Sequence, residues 1–232
     1  NEVLGMDRLH AKIMQTVTAT GRFSVTNPSM QTLPHEHIFD NLNNDKSNNP
    51  NYRIVIRAAI VPAKDYVMMT ADYSQIEFRL LASLSADREL IDIMMQDTVD
   101  VFVKMAAQCF RKPESAVSTE ERNYAKKILY GMLYGKGTLR LAQDMNTTVF
   151  NAEKYIEDFK QTYPIASSYI ASAPKSCEKH GYVETIFGRR RYLRNINALN
   201  SEEKSRAERQ SKNTVCQGSA ADLIKVAMVK VD

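Results

Sequence analysis

Two carboxylates lie where an apolar run gives way to a helical pattern. Asp72 follows the run "YVMM" that starts at Tyr66, and Glu77 comes five residues later. Mg²⁺ binds through one or two carboxylates and phosphate oxygens, and the end of a strand holds such a carboxylate rigidly. Asp72 is therefore a candidate magnesium ligand, although a lone aspartate in this position is usually a cap or turn residue. Glu77 is about one and a half helical turns away, so we expect a different task, such as shaping a sugar pocket.

A second candidate site is the polar face of "EERNYAKKILYGMLYG" (120–135). Four residues recur there at four-residue intervals: Arg122, Lys126, Tyr130 and Tyr134. Two cations one turn apart repel each other, but they span about 5–6 Å, the reach of adjacent phosphates. A flat ring one turn further on could stack on a base. The spacing suits a nucleoside triphosphate, and it is equally typical of a solvated basic face without a ligand.

The elements that must position these residues follow from the periodicity of apolar residues. Alternating runs predict strands at 52–62 and 66–71, followed by a helix from about 74 to 83. Five further segments have helical periods: 87–111, 118–134, 139–145, 150–162 and 165–180. Ser118 and Glu121 form a predicted capping box. Gly131, inside that helix, lowers the stability of the helix by about 1 kcal/mol relative to alanine, and the sequence offers no packing reason for a glycine there.

The remaining segments are a loop, a hairpin and a terminal helix. The asparagine-rich stretch 40–51 predicts a mobile polar loop. A hairpin is predicted at 181–193, and its three arginines (189–191) form a basic tip that either meets phosphates or is a solvated turn. From residue 202 to the end the pattern is helical again, with an interruption near Gly218.

Composition limits the class of protein. The 232 residues carry a net charge of +4, a mild cationic excess that permits a polyanionic partner without requiring one. Three widely spaced cysteines without a CxxC pair favour reduced thiols in an intracellular protein. The longest apolar runs are too short to span a membrane, so no membrane partner is expected. The sequence starts at Asn1 and stops inside an apolar periodic run, which indicates a piece of a longer protein.

Several segments resemble motifs of the family A DNA polymerases, the class of bacterial DNA polymerase I. "DYSQIEFRLLA" (72–82) is similar to motif A, and "RNYAKKILYGMLYG" (122–135) is similar to motif B. "TGRFSVTNPSMQTLP" (20–34) and "AERQSKNTVCQGSAADLIKVAM" (207–228) resemble two further segments of the family. The resemblance covers nearly the whole chain in the right order. "DVF" (100–102) and "GRRRYL" look most like the eukaryotic theta and nu types.

The resemblance implies a mostly helical α+β fold with a partial polymerase palm, built on a small antiparallel sheet, and helical fingers. Residues 1–88 would form the first part of the palm, 89–200 the fingers, and 201–232 a helix that returns to the palm. The implied activity is template-directed addition of deoxynucleotides to a primer 3′ end by two-metal nucleotidyl transfer. The implied setting is DNA repair or replication in the nucleus.

The resemblance also implies roles for single residues. Asp72 would bind both magnesium ions, and the backbone carbonyl of Tyr73 would contact one of them. Arg122 and Lys126 would act as catalytic residues that hold the triphosphate. Glu77 would exclude a ribose 2′-hydroxyl. The nucleotide-binding residues would be Tyr73, Gln75, Glu77, Tyr130 and Tyr134. The contacts with primer–template DNA would come from Arg22, Gln31, Arg209, Asn213 and Gln217.

The match with the family is incomplete at two places. The second metal carboxylate of the family lies in a downstream His-Asp-Glu hairpin, so we expect half a metal site here and no activity without the remaining polymerase regions. Phe102 stands where many bacterial members have a phosphate-binding histidine.

Two alternatives to an active DNA polymerase remain. The first is a catalytically silent nucleic-acid-binding relative, which the presence of Asp72, Arg122 and Lys126 disfavours. The second is a single-subunit RNA polymerase, which Glu77 disfavours because an RNA enzyme must admit the 2′-hydroxyl.

Overall fold

The computed structural model divides the chain into two compact units. The residues that it describes are 8–34, 37–39, 52–96 and 100–231. The first unit comprises Asn1–Thr18 and Arg22–Ser74, and the second comprises Ala19–Gly21 and Gln75–Asp232. The loop predicted at 40–51 lies outside the described residues.

The described part of the first unit contains two short antiparallel ladders. β1 (Lys12–Met14) pairs with β2 (Ser24–Thr26), and β3 (His37–Phe39) pairs with β4 (Tyr52–Ile54). Each strand is three residues long, and a two-stranded ladder of this length is marginal by itself.

The apolar run at 66–71 does not form the predicted strand. It makes no ladder with any described residue, and its side chains are exposed, Val67 by 92% and Met69 by 80%. Apolar and β-branched residues favour a strand only where a neighbouring strand supplies hydrogen-bond partners. The strand predicted at 52–62 is likewise confined to β4, and a 3-10 turn follows at Ile56–Ala59.

Helices dominate the second unit. The eight helices among its described residues are α1 (Ile76–Ser85), α2 (Arg88–Met94), α3 (Val101–Cys109), α4 (Thr119–Leu133), α5 (Thr138–Met145), α6 (Val149–Thr162), α7 (Pro164–His180) and α8 (Ser201–Val231). A third antiparallel ladder, β5 (Tyr182–Glu184) with β6 (Arg190–Tyr192), forms the predicted hairpin between α7 and α8. The expected α+β class, mostly helical with small antiparallel sheets, is confirmed. None of the helices in the described ranges is long and apolar enough to cross a membrane.

Two aspartates divide the segment that the sequence predicted as one helix, 87–111. Asp87 begins α2 by accepting a hydrogen bond from the Leu90 amide at 3.2 Å. Asp100 begins α3 by accepting from the Phe102 amide at 2.9 Å. A residue that caps a helix in this way has non-helical backbone angles, so the chain must start a new helix at Asp100.

Asp87 also reaches a second helix. Its other carboxylate oxygen accepts from the Ala166 amide, at 3.0 Å, in the first turn of α7. The side chain is 2% exposed, so both bonds are shielded from water. This one carboxylate therefore joins the starts of α2 and α7.

α8 runs from Ser201 to Val231 without the interruption that the sequence predicted near Gly218. A Cβ atom at Gly218 would lie 2.9 Å from Thr185 Cγ2 and 3.2 Å from a guanidinium nitrogen of Arg189. The glycine therefore lets the β5–β6 hairpin approach α8, and the helix continues through Gly218. The prediction failed because the reason for the glycine lies in a segment distant in sequence.

The main core of the second unit forms where α3 packs on α4, with α1, α6 and α7 around them. Phe78 of α1, Met105 of α3 and Leu129 of α4 are completely buried. α8 packs across α1 and α7. Burial of its apolar side in this core fixes the orientation of α4 in this structure.

Candidate nucleotide and DNA site

The N-terminus of α4 is fixed by the capping box that the sequence predicted. Ser118 Oγ accepts from the Glu121 amide at 3.2 Å, and a Glu121 carboxylate oxygen accepts from the Ser118 amide at 2.9 Å. Ala125 and Ile128 bury one side of the helix together with Leu129. The four residues at four-residue spacing lie along an adjacent side of α4, at the edge of the same core, against which Tyr130 and Tyr134 pack.

The two cations of α4 share one aromatic ring. Arg122 Cζ and Lys126 Nζ each lie 5.7 Å from the ring centre of Phe102, which is 3% exposed. Both distances are within the range of cation–π attraction. Phe102 thus offsets part of the repulsion between two like charges one helical turn apart.

Arg122 is also bound to the residue that begins α3. Its Nε donates to Asp100 Oδ2 at 2.7 Å. Burial opposes ionisation of Asp100, but the hydrogen bonds from Arg122 and from the Phe102 amide outweigh it and hold the pKa of Asp100 below its usual value. Lys126 is exposed and forms no ion pair with the residues that the structure describes. An anionic ligand would therefore meet Lys126 as the more available of the two charges.

Aromatic rings continue the row towards the C-terminus of α4. The Tyr130 ring lies 6.3 Å from that of Phe102 and is stacked on the Tyr134 ring at 5.8 Å. The Tyr134 hydroxyl donates to a carboxylate oxygen of Glu77 at 2.7 Å, and Glu77 is only 5% exposed. The row on α4 thus runs from two cations to two aromatic rings, and the second ring, Tyr134, is bonded to the Glu77 carboxylate of α1.

Two glycines explain how α4 approaches its neighbours. A Cβ atom at Gly131 would lie 3.0 Å from Leu141 Cδ1 of α5, so this glycine has the packing reason that the sequence did not reveal. Gly135 has φ +63° and would place a Cβ atom 3.1 Å from the Arg209 Cα atom. The backbone after Tyr134 is therefore in close contact with α8 at Arg209.

The predicted DNA-contacting residues of α8 lie on one side of that helix. Arg209 is exposed, whereas Asn213 and Gln217 are half-buried, and Asn213 Nδ2 donates to Gln217 Oε1 at 3.2 Å. Asn213 Oδ1 is buried without a hydrogen-bond partner among the described residues, and so is Gln75 Oε1 at the start of α1. Buried amide oxygens are normally satisfied, so each of these two atoms is an acceptor open to water or a ligand.

Four other predicted residues belong to the first unit: Asp72, Tyr73, Arg22 and Gln31. Asp72 and Tyr73 are exposed. The carbonyl oxygen of Arg22 accepts from the Thr18 hydroxyl at 2.7 Å. The Gln31 amide is bound to the β2 segment, since it donates to the Phe23 carbonyl at 3.1 Å and accepts from the Val25 amide at 3.3 Å.

The basic hairpin tip is engaged with the protein itself. Arg189 Nε donates to Asp222 Oδ1 at 2.8 Å, and its Nη2 donates to the carbonyl oxygens of Thr20 at 2.8 Å and Gly218 at 3.1 Å. Arg191 donates to the Thr214 hydroxyl at 2.6 Å. Arg189 thus joins the hairpin to α8. The sequence offered a phosphate-binding tip or a solvated turn, and Arg189 fits neither interpretation.

Sequence reasoning missed Asp100 as the partner of Arg122. An aspartate directly before an apolar helical run is a recognisable cap signal, and it could have located the start of α3. Its reach to α4, 22 residues further on, depends on how two helices pack, and no local pattern encodes that.

The family model described as DNA polymerase family A matches residues 3–232. The chain belongs to DNA polymerase family A. The family resemblance of the sequence motifs is confirmed.

Individual relatives agree with this assignment. The chain is 36% identical over 225 residues to DNA polymerase I of Borreliella burgdorferi, covering 97% of this chain and 23% of that protein. It is 34% identical over 269 residues to DNA polymerase theta of Mus musculus, covering 100% of this chain and 10% of that protein. The chain thus spans about a quarter or less of these relatives, and bacterial and theta-type proteins match at similar identity.

A solved structure supports the fold directly. The POL domain of Pol1 from M. smegmatis, in complex with DNA primer-template and dNTP, is 35% identical in sequence and matches with a TM-score of 0.83. The match covers 97% of this chain and 37% of that chain.

Proposed function

We propose that this chain is the palm-and-fingers part of a template-directed DNA polymerase that adds deoxynucleotides to a primer 3′ end. The observation that carries the proposal is the row on α4, where two cations and two stacked rings lead to the buried carboxylate of Glu77. Membership of family A supports it. Under this proposal residues 1–88 and 201–232 belong to the palm and 89–200 to the fingers.

In this proposal the row binds the incoming nucleotide. Lys126 and Arg122 hold the triphosphate and stabilise the charge that grows on it during in-line attack. Tyr130 stacks on the nucleotide, and Glu77 crowds the 2′ position of its sugar. Gln75 belongs to the same pocket, and its buried amide oxygen, which has no hydrogen-bond partner among the residues that the structure describes, supports this role.

The DNA contacts are proposed for α8 and the first unit. Arg209, Asn213 and Gln217 would contact the template and the minor groove beside the nascent pair, where acceptors are common to all correct pairs. Tyr134 would lie behind the template base, and the close approach of Gly135 to Arg209 supports a joint role. Arg22 would reach the primer end. Gln31 has less support, because its amide is already bound to β2.

Magnesium is the proposed cofactor, as two ions. Asp72 and the backbone carbonyl of Tyr73 are hard oxygen donors, and the Asp72 side chain is exposed, so this donor set fits Mg²⁺. No three metal-binding side chains cluster within the described ranges. Mg²⁺ commonly keeps waters and phosphate oxygens as ligands, and the second carboxylate ligand of the two ions would come from outside this chain. Bound magnesium supplies Lewis-acid stabilisation of the reacting oxygens.

The biological setting is also a proposal. Resemblance to theta-type polymerases supports a role in DNA repair or replication and a nuclear location. Imaging of a fluorescent fusion of the full-length protein would test the location, and a protein excluded from nuclei would contradict it.

Primer extension by the full-length protein tests the proposed function. Lys126→Ala should raise the KM for deoxynucleotides strongly and leave duplex binding nearly unchanged, because its charge faces the triphosphate. Arg22→Ala should instead impair extension from the primer end. No extension by the unaltered protein, together with retained DNA binding, would favour the catalytically silent relative.

The RNA polymerase alternative is tested at Glu77. Glu77→Ala should increase ribonucleotide incorporation by the full-length protein, because the 2′-hydroxyl would no longer be excluded. Unchanged discrimination would remove the assignment of Glu77 as the gate.

A further inference from the structure

One aromatic ring from α3 contacts three successive members of the row on α4. The ring centre of Phe102 lies 5.7 Å from Arg122 Cζ, 5.7 Å from Lys126 Nζ and 6.3 Å from the ring centre of Tyr130. The three contacted residues recur at four-residue spacing on one helix, whereas Phe102 is the second residue of another. The proposed function gives each member of the row a contact with the nucleotide, and it gives this ring no task.

The ring is held more firmly than the cations around it. Phe102 is 3% exposed and belongs to the main core, and its amide donates to Asp100 Oδ1 at 2.9 Å. Lys126 is exposed, and within the described ranges the ring is the one partner of its ammonium group. A lysine side chain loses much rotamer freedom when a ligand orders it. A contact that orders the side chain beforehand reduces this loss on binding.

An aromatic face suits the task of holding cations that must bind an anion. The face attracts a cation through the ring quadrupole and carries no net charge. The ring also has no lone pair to occupy the N–H donors of an ammonium or guanidinium group, so these donors stay available for phosphate oxygens. A carboxylate in the same place would neutralise one cation and repel a triphosphate. The ring therefore brings two like charges together and leaves both charges in place.

We propose that Phe102 is a positioning residue for nucleotide binding. Its ring gathers Arg122 and Lys126 for the triphosphate and supports Tyr130 beside them. The inference rests on the proposed function, in which the row binds the incoming nucleotide. Since the ring is almost completely buried, it acts through these three side chains and makes no contact with the nucleotide itself.

Fluorinated phenylalanines separate attraction of the cations from packing of the ring. Each ring fluorine withdraws electron density from the face and weakens its attraction for cations, with little change in ring shape. Phenylalanines with one, two and three ring fluorines are placed at position 102 of the full-length protein. The measurement is kcat/KM for a deoxynucleotide in primer extension. Loss of two cation–π contacts should lower kcat/KM stepwise, in total by about 5- to 30-fold.

Two controls identify the cations as the cause. The same series at Phe159, which is 1% exposed and packs on the Tyr163 ring, should leave kcat/KM unchanged, because no cation in the part of the chain that the structure describes lies over this ring. In a Lys126→Ala background one of the two contacts is absent, so the series at Phe102 should lower kcat/KM by only about 2- to 5-fold. Urea unfolding of each variant verifies that the fold is retained.

Three outcomes would overturn the proposal. An unchanged kcat/KM across the series at Phe102, or an equal fall in the series at Phe159, would show that the ring does not act through the cations. A rise in kcat/KM would show that the ring withholds the cations from the triphosphate. An equal loss of primer–template affinity would show that the ring positions the row for DNA and not for the nucleotide.

A binding measurement separates this inference from the proposed function. Calorimetric titration of the complex of protein and primer–template with the deoxynucleotide gives its affinity without any chemical step. If the unaltered protein does not extend a primer, the proposed function fails. A stepwise loss of nucleotide affinity across the series at Phe102 would then still support the positioning role, and an unchanged affinity would remove it.

Discussion

The hydrogen bond between Tyr134 and Glu77 allows a quantitative test of how α1 and α4 are joined. Tyr134→Phe removes the donor and keeps the shape of the ring. The buried Glu77 carboxylate then loses a bond of 2.7 Å, and hydrogen bonds to charged groups contribute about 1.5–3 kcal/mol. We expect Tyr134→Phe to lower the free energy of unfolding by about that amount.

The same substitution in a Glu77→Gln variant measures how much the charge of Glu77 contributes to this hydrogen bond. In the Glu77→Gln variant the tyrosine can still donate to an amide oxygen, and a neutral bond contributes about 0.5–1.5 kcal/mol. Tyr134→Phe should therefore cost about 1 kcal/mol less in the Glu77→Gln background than in wild type, and this difference is the coupling energy of the cycle.

Urea unfolding of the full-length protein, followed by circular dichroism, measures the four variants of this cycle. Tyr66→Phe is the matched control, because the Tyr66 side chain is 74% exposed, and it should change stability by less than about 0.5 kcal/mol. Equal costs of Tyr134→Phe in both backgrounds would refute the view that the buried charge strengthens this contact.

Three further predictions concern contacts around α4 and α8. Asp100→Asn keeps a helix-capping side chain but loses the ion pair with Arg122, so it should lower the free energy of unfolding by less than about 1 kcal/mol for so exposed a pair. Because the folded pKa of Asp100 is depressed, this difference from wild type should be present at neutral pH and should vanish in acid titrations as pH falls below 4. Gly135→Ala should destabilise by at least about 1–2 kcal/mol through its left-handed backbone, whereas Gly137→Ala, with open space around it, should lose only the N-cap preference of glycine at the start of α5, about 0.5–1 kcal/mol in thermal unfolding. Arg189→Lys should lower the unfolding midpoint by several degrees, since a lysine cannot reproduce the forked bonds to Asp222 and two carbonyls; no shift would mean that these bonds are dispensable.

The sequence predicted the elements that depend on local signals. α4 has an apolar stripe within its fifteen residues and a capping box that starts at the residue before them, Ser118, so its limits and its polar row were predictable. The run at 66–71 failed because a strand needs a partner, and composition does not supply one. Gly218 was misread since its reason, the approach of Thr185, lies 33 residues away.

For the candidate site, too, the sequence predicted what lies on one helix and missed contacts between helices. The spacing of Arg122, Lys126 and Tyr130 was visible in the sequence, because one helix carries all three. The hydrogen bond from Arg122 to Asp100 was not visible, because Asp100 lies at the start of another helix. For Phe102 the family resemblance indicated a place at the phosphate site, but not its contact with both cations. Packing between helices, which no periodicity encodes, decides which side chains meet.

The shared carboxylate of Asp87 has a consequence for fluctuations. Helix ends normally fray independently, but here the two oxygens of one buried carboxylate accept from both ends, so a rotation of that side chain would release the Leu90 and Ala166 amides together. The first turns of α2 and α7, 79 residues apart in sequence, should therefore open as one event. Amide hydrogen exchange would detect this as matched protection at both positions, which Asp87→Ala should abolish at both together.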